Sequence, residues 1–224
     1  MRGRFITFEG GEGTGKSTQV RLLATRLRAA GLRVVVTREP GGSPGAEAIR
    51  HVLLSGAAEP LGPDAEAILF AAARIDHVST VIEPALAAGA WVICDRFIDS
   101  TRVYQGTLGS VEPALIRALE RVAVGATRPD VTVILDLPPY IGLARAARRR
   151  GSEAVDRFEQ ESQAFHDRLH AAYRELAAQE PERCALIDAR GTPEDVAEAI
   201  WLALAVRLGH ALPRARAGQA QAVS

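Results

Sequence analysis

Gly10-Gly11-Glu12-Gly13-Thr14-Gly15-Lys16-Ser17 separates a brief apolar run, Phe5 to Phe8, from a helical pattern that carries Val20, Leu23 and Leu27 on one face. A glycine-rich bend between a strand and a helix commits the chain to a strand–loop–helix unit whose loop turns backbone N–H groups toward an anion. The spacing Gly-x4-Gly-Lys-Ser is that of a phosphate-binding loop. The helix N-terminus adds partial positive charge, Lys16 reaches β- and γ-phosphates, and the Ser17 hydroxyl is placed for Mg²⁺. Residues Gly10 to Thr18 are therefore expected to hold ATP; a chance glycine-rich turn is the competing reading. Of the 27 basic residues all but Lys16 are arginine. A compact ammonium kept at this one position suits a phosphate cradle better than a planar guanidinium.

The rest of the chain repeats the strand–helix alternation. Phe5 to Phe8, Arg33 to Thr37, Trp91 to Asp95, Val131 to Leu137 and Ala185 to Asp188 are short apolar runs closed by polar or turn residues, and they predict five parallel strands. Helical spacing places Leu115, Leu119 and Val122 on one face, and Phe158, Ser162, Phe165, Leu169, Ala172 and Leu176 on another. Thr192-Pro193-Glu194-Asp195 predicts the cap and first turn of a last helix. This pattern specifies a three-layer α/β fold with right-handed crossovers, in one domain over residues 1–209. Residues 210–224 are small, polar and aperiodic, and are expected to form a disordered tail.

Composition narrows the function. A formal net charge of zero offers no general attraction to polyanions, so long nucleic acid is not expected as a partner. No apolar stretch reaches membrane-spanning length and the N-terminus lacks an apolar leader, so the expected location is the cytoplasm. Cys94 and Cys184 fall inside apolar runs and read as buried small hydrophobes. The chain contains no Asn, which excludes the Asn-Lys-x-Asp motif of guanine-specific switch proteins. Its length leaves no room for the extra subdomains of large ATPase machines, and a small phosphotransferase remains.

Candidate site residues follow the strand ends. Asp95 closes an apolar run where a metal-binding aspartate belongs, although a strand-ending Asp also serves as a turn residue. Arg38 and Arg96 stand at predicted strand ends, where open parallel sheets bind ligands, and two cations there would hold a monophosphate; surface ion pairs are the alternative. Phe70 and Arg74 lie four apart, so a ring stacking on a base and a guanidinium meeting a carbonyl or phosphate share one helical face. Phe70 as core and Arg74 as a solvated charge is the competing reading. Glu39-Pro40-Gly41-Gly42 is a turn. Ser100, Thr101, Tyr104 and Gln105 would offer hydroxyls and an amide to a pyrimidine edge from a short helix; taken alone they read as an ordinary polar helix. Arg190, after the last strand, is placed to cover adenine or is a plain surface charge.

Phe8-Glu9-Gly10-Gly11-Glu12-Gly13-Thr14-Gly15-Lys16-Ser17-Thr18, Thr37-Arg38-Glu39-Pro40-Gly41-Gly42, Leu69-Phe70-Ala71-Ala72-Ala73-Arg74, Asp95-Arg96-Phe97-Ile98-Asp99-Ser100-Thr101, Tyr104-Gln105-Gly106 and Asp156-Arg157-Phe158-Glu159 occur in this order. In these motifs the chain resembles the bacterial thymidylate kinases up to about Leu208. The resemblance implies a P-loop kinase fold with a short lid at about 143–157, and transfer of the ATP γ-phosphoryl group to dTMP with Mg²⁺. It implies that Phe70 stacks on thymine, Arg74 bonds its edge, Thr101 and Gln105 face the base, Tyr104 the deoxyribose, Pro40 the sugar or base, and Glu12 the 3′-hydroxyl. With Gly13 in the loop, the cation over the transferring group is expected from the lid, with Arg149 and Arg157 chosen from its arginine cluster. The catalytic set is then Lys16, Arg96, Arg149, Arg157 and Glu12. A homodimer is implied by the same analogy. Another nucleoside or nucleotide kinase, or a non-catalytic ATP-binding regulator, are the rival readings.

Overall fold

The computed structural model describes residues 2–150 and 161–212, with the side chains of 149 and 150 excepted. Five parallel strands form one sheet: β1 (Phe5–Glu9), β2 (Val34–Arg38), β3 (Trp91–Asp95), β4 (Val131–Asp136) and β5 (Cys184–Asp188), in spatial order β2-β3-β1-β4-β5. The five expected strands match within one residue at each end. Because β1 is central, the loop leaving it emerges in the middle of the sheet's carboxyl edge, beside the end of β3.

Alternation along β1 sorts the two faces. Ile6 and Phe8 join Val20, Leu23 and Leu27 of α1 (Lys16–Ala29) and Val196, Ile200 and Leu204 of α9 (Pro193–Leu208) in the largest apolar core. Phe5 points the other way, into a smaller core with Val92, Cys94, Phe97, Ile82 and Leu86. Thr7 and Glu9 share that second face and are fully buried, so it is part polar. Thr7 meets Thr132 at 2.7 Å, and Thr132 donates to Asp99, which pairs bidentately with Arg183 at 2.6 and 2.8 Å. Both cysteines are buried as expected.

On this second face α3 (Pro63–His77) runs through a π-helical stretch, Val78–Ile82, into α4 (Glu83–Ala87). α5 (Ile98–Thr101) likewise continues π-helically as Arg102–Leu108. α2 (Pro44–Leu54) and α6 (Pro113–Ala123) pack on α3; α8 (Gln163–Gln179) covers β4 and β5, and α7 (Pro139–Arg150) packs against α8.

Two helix faces differ from the sequence expectation. In α6 the buried positions are Ile116, Glu120 and Ala123, while Val122 is 72% exposed. Glu120 is buried because Arg102 grips it bidentately and Arg128 adds a third contact, a pairing that hydrophobic periodicity cannot register. Ser162 is not an interior helical position: its hydroxyl accepts from Phe165 N and caps α8. Phe158 lies outside the described residues. The expected cap of the last helix is present as a full capping box, with Thr192 and Asp195 each bonding the other's backbone N–H.

Candidate active site

The loop from Gly10 to Gly15 joins β1 to α1, and Gly10, Gly13 and Gly15 hold φ of 133°, 65° and 96°, a region closed to most side chains. Gly13 is needed for a second reason. A β-carbon there would lie 1.9 Å from the Gly142 carbonyl oxygen, and one on Gly142 would lie 2.2 Å from that of Glu12. The loop crest thus rests backbone to backbone on the first turn of α7. Lys16 Nζ donates to the Gly10 and Gly11 carbonyls at 3.0 and 2.8 Å and spans the loop it completes. Burial, reinforced by Arg96, brings the Lys16 ammonium down to about 8. Ser17 Oγ donates to Asp95 Oδ2 at 2.9 Å, so the two expected metal-binding groups are in contact.

Beside the loop opens a cavity of about 440 Å³. Its walls include Glu12, Gly13, Gly15, Lys16, Ser17 and Thr18 from the donor set, and Arg38, Pro40, Phe70, Arg74, Arg96, Ser100, Thr101, Tyr104 and Gln105 from the acceptor set. Every acceptor residue read from the sequence lines this one cavity. Gly10, Gly11 and Thr14 lie in the loop but not on its wall.

The competing readings separate clearly for Arg74. It is no solvated charge: it is 2% exposed, its Nε donates to Glu39 Oε2 at 2.7 Å, and its Nη2 reaches Thr101 Oγ1 at 3.0 Å. Glu39 is held in turn by His77 Nδ1 at 2.9 Å, and His77 Nε2 meets Thr37 Oγ1 at 2.6 Å. The remaining Arg74 nitrogen, Nη1, is buried with no hydrogen-bond partner among the described residues. Phe70, half-buried one turn before it, shares the wall.

Arg96 adopts φ of 68°, a strained conformation for a residue with a side chain, while its N–H bonds Phe8 O at 2.9 Å. Its Nη1 reaches Ser100 Oγ at 3.3 Å and Tyr173 OH at 3.4 Å, and the guanidinium lies 5.3 Å from the Tyr104 ring centre. Beneath it, Glu9 accepts from Phe97 N, Ser100 N, Ser100 Oγ and Tyr173 OH at 2.7–3.1 Å. Burial, with Asp99 adding to it, raises the Glu9 carboxyl above its ordinary range. Arg38 is exposed at the rim and pairs with Glu47 at 2.9 Å.

Arg190 stands outside the cavity wall, exposed and paired bidentately with Asp188. The Arg149 side chain and Arg157 lie outside the described residues. Sequence reasoning missed Glu9, Glu39, Arg50 and His166, of which all but Glu9 line the cavity. Glu9 left one signal, a lone carboxylate closing an apolar strand directly before the glycine loop.

A family model described as thymidylate kinase matches residues 8–200. The chain is 65% identical over 207 residues to a thymidylate kinase of Bradyrhizobium diazoefficiens, covering 92% of this chain and 91% of the relative. It is 65% identical over 219 residues to one of Rhodopseudomonas palustris, covering 97% and 94%. A solved structure of thymidylate kinase from Ehrlichia chaffeensis superimposes with a TM-score of 0.73 at 32% identity, over 91% of this chain and 100% of that one.

Proposed function

The chain belongs to the thymidylate kinase family, and from that premise we propose how its own residues transfer the γ-phosphoryl group of ATP to dTMP, giving ADP and dTDP. One observation carries the reading. The phosphate loop and a wall with Phe70 beside an unpartnered Arg74 guanidinium nitrogen line the same cavity.

In this reading the loop N–H groups and Lys16 take the donor triphosphate, and Lys16 exchanges its two carbonyl contacts for phosphate oxygens. Phe70 stacks on thymine, and Arg74 Nη1, Thr101 and Gln105 bond its edge. Arg96 and Ser100 hold the acceptor phosphate, joined by Arg38 from the rim. An acceptor phosphate oxygen forms the new P–O bond as the bond between the γ-phosphorus and its bridging oxygen breaks, and the electron pair leaves on ADP. That oxygen is already anionic, so no general base is required, and catalysis rests on alignment and charge stabilisation. Glu12 is assigned to the acceptor's 3′-hydroxyl and Arg190 to the adenine side. Arg149 and Arg157 of the 143–157 lid are assigned to the transferring group.

A hydroxyl and a carboxylate in contact make an oxygen donor set that fits Mg²⁺, so Ser17 and Asp95 would hold it. Bound there, the ion supplies neutralising charge to the β- and γ-oxygens. Residues 1–209 are proposed to work as one cytoplasmic catalytic domain, paired with a second copy. No helix among the described residues is long and apolar enough to cross a membrane.

A coupled assay with ATP and a panel of dTMP, dUMP, CMP, AMP and thymidine tests the reading. Turnover is expected to be highest with dTMP. Preference for another acceptor overturns the substrate, and ATP binding without any product overturns the enzyme.

A further inference from the structure

The inner face of α8 stands behind residues that line the cavity and reaches its wall at His166. Tyr173 bonds Glu9 and approaches Arg96 and Ser100, the proposed phosphate level. One turn nearer the helix start, Leu169 lies against the loop at Gly11, where a β-carbon would come within 3.9 Å of its Cδ2. One turn further is His166, roughly 10 Å along the axis from Tyr173. His166 lines the cavity and is 4% exposed, yet its Nε2 is buried with no hydrogen-bond partner among the described residues. Neighbouring Phe165 sets the ring edge-on and itself packs on Tyr104.

Buried polar atoms in folded proteins are almost always satisfied, and an exception at a ligand cavity marks a group whose partner arrives with the ligand. Among the described residues the cavity has one other such atom on its wall, Arg74 Nη1, at the proposed base level. A nucleotide lying between the Phe70–Arg74 end and the Arg96–Lys16 end must pass its sugar along the middle, and His166 reaches the wall beside Phe165, which packs on Tyr104. An imidazole is suited to that place, since its Nε2 can either donate to or accept from a hydroxyl according to its tautomer.

We propose that His166 is a positioning residue for the acceptor nucleotide, its Nε2 hydrogen-bonding the 3′-hydroxyl of the sugar as that nucleotide fills the cavity. The assignment rests on the proposed reading of the cavity as the acceptor site. It places a specificity contact on α8, in addition to those from α3 and the 98–108 segment.

The test compares the full-length wild type with H166L, H166F and H166Q, using dTMP and 3′-deoxy-dTMP as acceptors at saturating ATP. For H166L and H166F, loss of one of the two hydrogen bonds of the hydroxyl, the other being the one assigned to Glu12, is expected to raise the KM for dTMP about tenfold, with KM for ATP unchanged. H166Q, which keeps a polar terminus, is expected to restore most of the affinity. With 3′-deoxy-dTMP the variants and wild type should be alike, which a purely structural role would not produce. An unmoved KM for dTMP in a folded H166L or H166F, or an equal loss with both acceptors, overturns the assignment. H166F keeps a ring in the packing should H166L fail to fold. Wild-type turnover of dTMP separates the two failures: its absence defeats the family reading, whereas normal turnover with unaffected variants defeats the His166 contact alone.

Discussion

Lys16 shows how a single residue ties charge, burial and chemistry together. Its ammonium is brought down to about 8 from an ordinary 10.5, chiefly by burial. A depressed folded-state value for a base means that the native protein binds fewer protons than the unfolded chain between those two limits. The destabilisation is therefore full below about 8 and is relieved as pH rises toward 10.5. Function runs the opposite way, because a neutral amine cannot hold a triphosphate. ATP affinity measured by calorimetry is expected to fall as pH rises above about 8, and K16R should lose that pH dependence because a guanidinium stays charged. A flat wild-type profile would contradict the role. At the other end of the cavity, F70A is expected to raise the KM for dTMP about tenfold or more through lost stacking, leaving the KM for ATP in place. Equal effects on both nucleotides would contradict the stacking. Spacing put Lys16 in the loop and Phe70 and Arg74 on one helical face, and all three line the cavity, but spacing alone left Phe70 as core and Arg74 as a solvated charge open. Glu9 and Glu39 were not legible, since a carboxylate at a strand end reads as solvated until the groups donating to it are known.

At the scale of elements, the contact between the loop crest and α7 has the sharpest consequence. Gly13 and Gly142 meet backbone to backbone with no space for a β-carbon on either. A methyl at 142 must push the helix or the loop aside, so G142A is expected to raise the KM for ATP about tenfold while far-ultraviolet circular dichroism stays native. Unchanged ATP kinetics would show that the contact is slack. The strands were legible to within one residue because each is a short apolar run closed by polar or turn residues, although only β1, β3 and β4 are buried along nearly their whole length. Helix faces were less so. α6 was read from Leu115, Leu119 and Val122, yet it buries Glu120 against Arg102 and leaves Val122 outside. On α8 the pattern favoured Phe165, while the neighbouring His166 is the more buried. In both cases a polar residue is buried beside the apolar stripe, which still packs through Leu115 and Leu119 on α6 and through Phe165, Leu169, Ala172 and Leu176 on α8.

For the molecule as a whole, the order β2-β3-β1-β4-β5 gathers the first loop, the end of β3 and the segment after it on one carboxyl edge, so residues far apart in sequence share one cavity. The alternation of elements made the fold class readable, but which helices stay uncovered is a property of the assembled surface. Ile68 and Ile75, two turns apart on α3, are 50% and 43% exposed, and Val122 on the adjoining α6 is 72% exposed. If these form the face between two copies, I75E and V122E should shift sedimentation from dimer to monomer. A wild-type monomer would refute the pairing, and an intact dimer in both variants would move it to another face.

A protein with one lysine, enclosed and with a softened affinity for its proton, offers amine-directed reagents a single side-chain target. Acylation near neutral pH would strike at the heart of the enzyme, and a filled donor cradle would shield it. The rate of labelling at this side chain is therefore a direct gauge of occupancy, whereas the two enclosed cysteines offer thiol reagents no comparable handle.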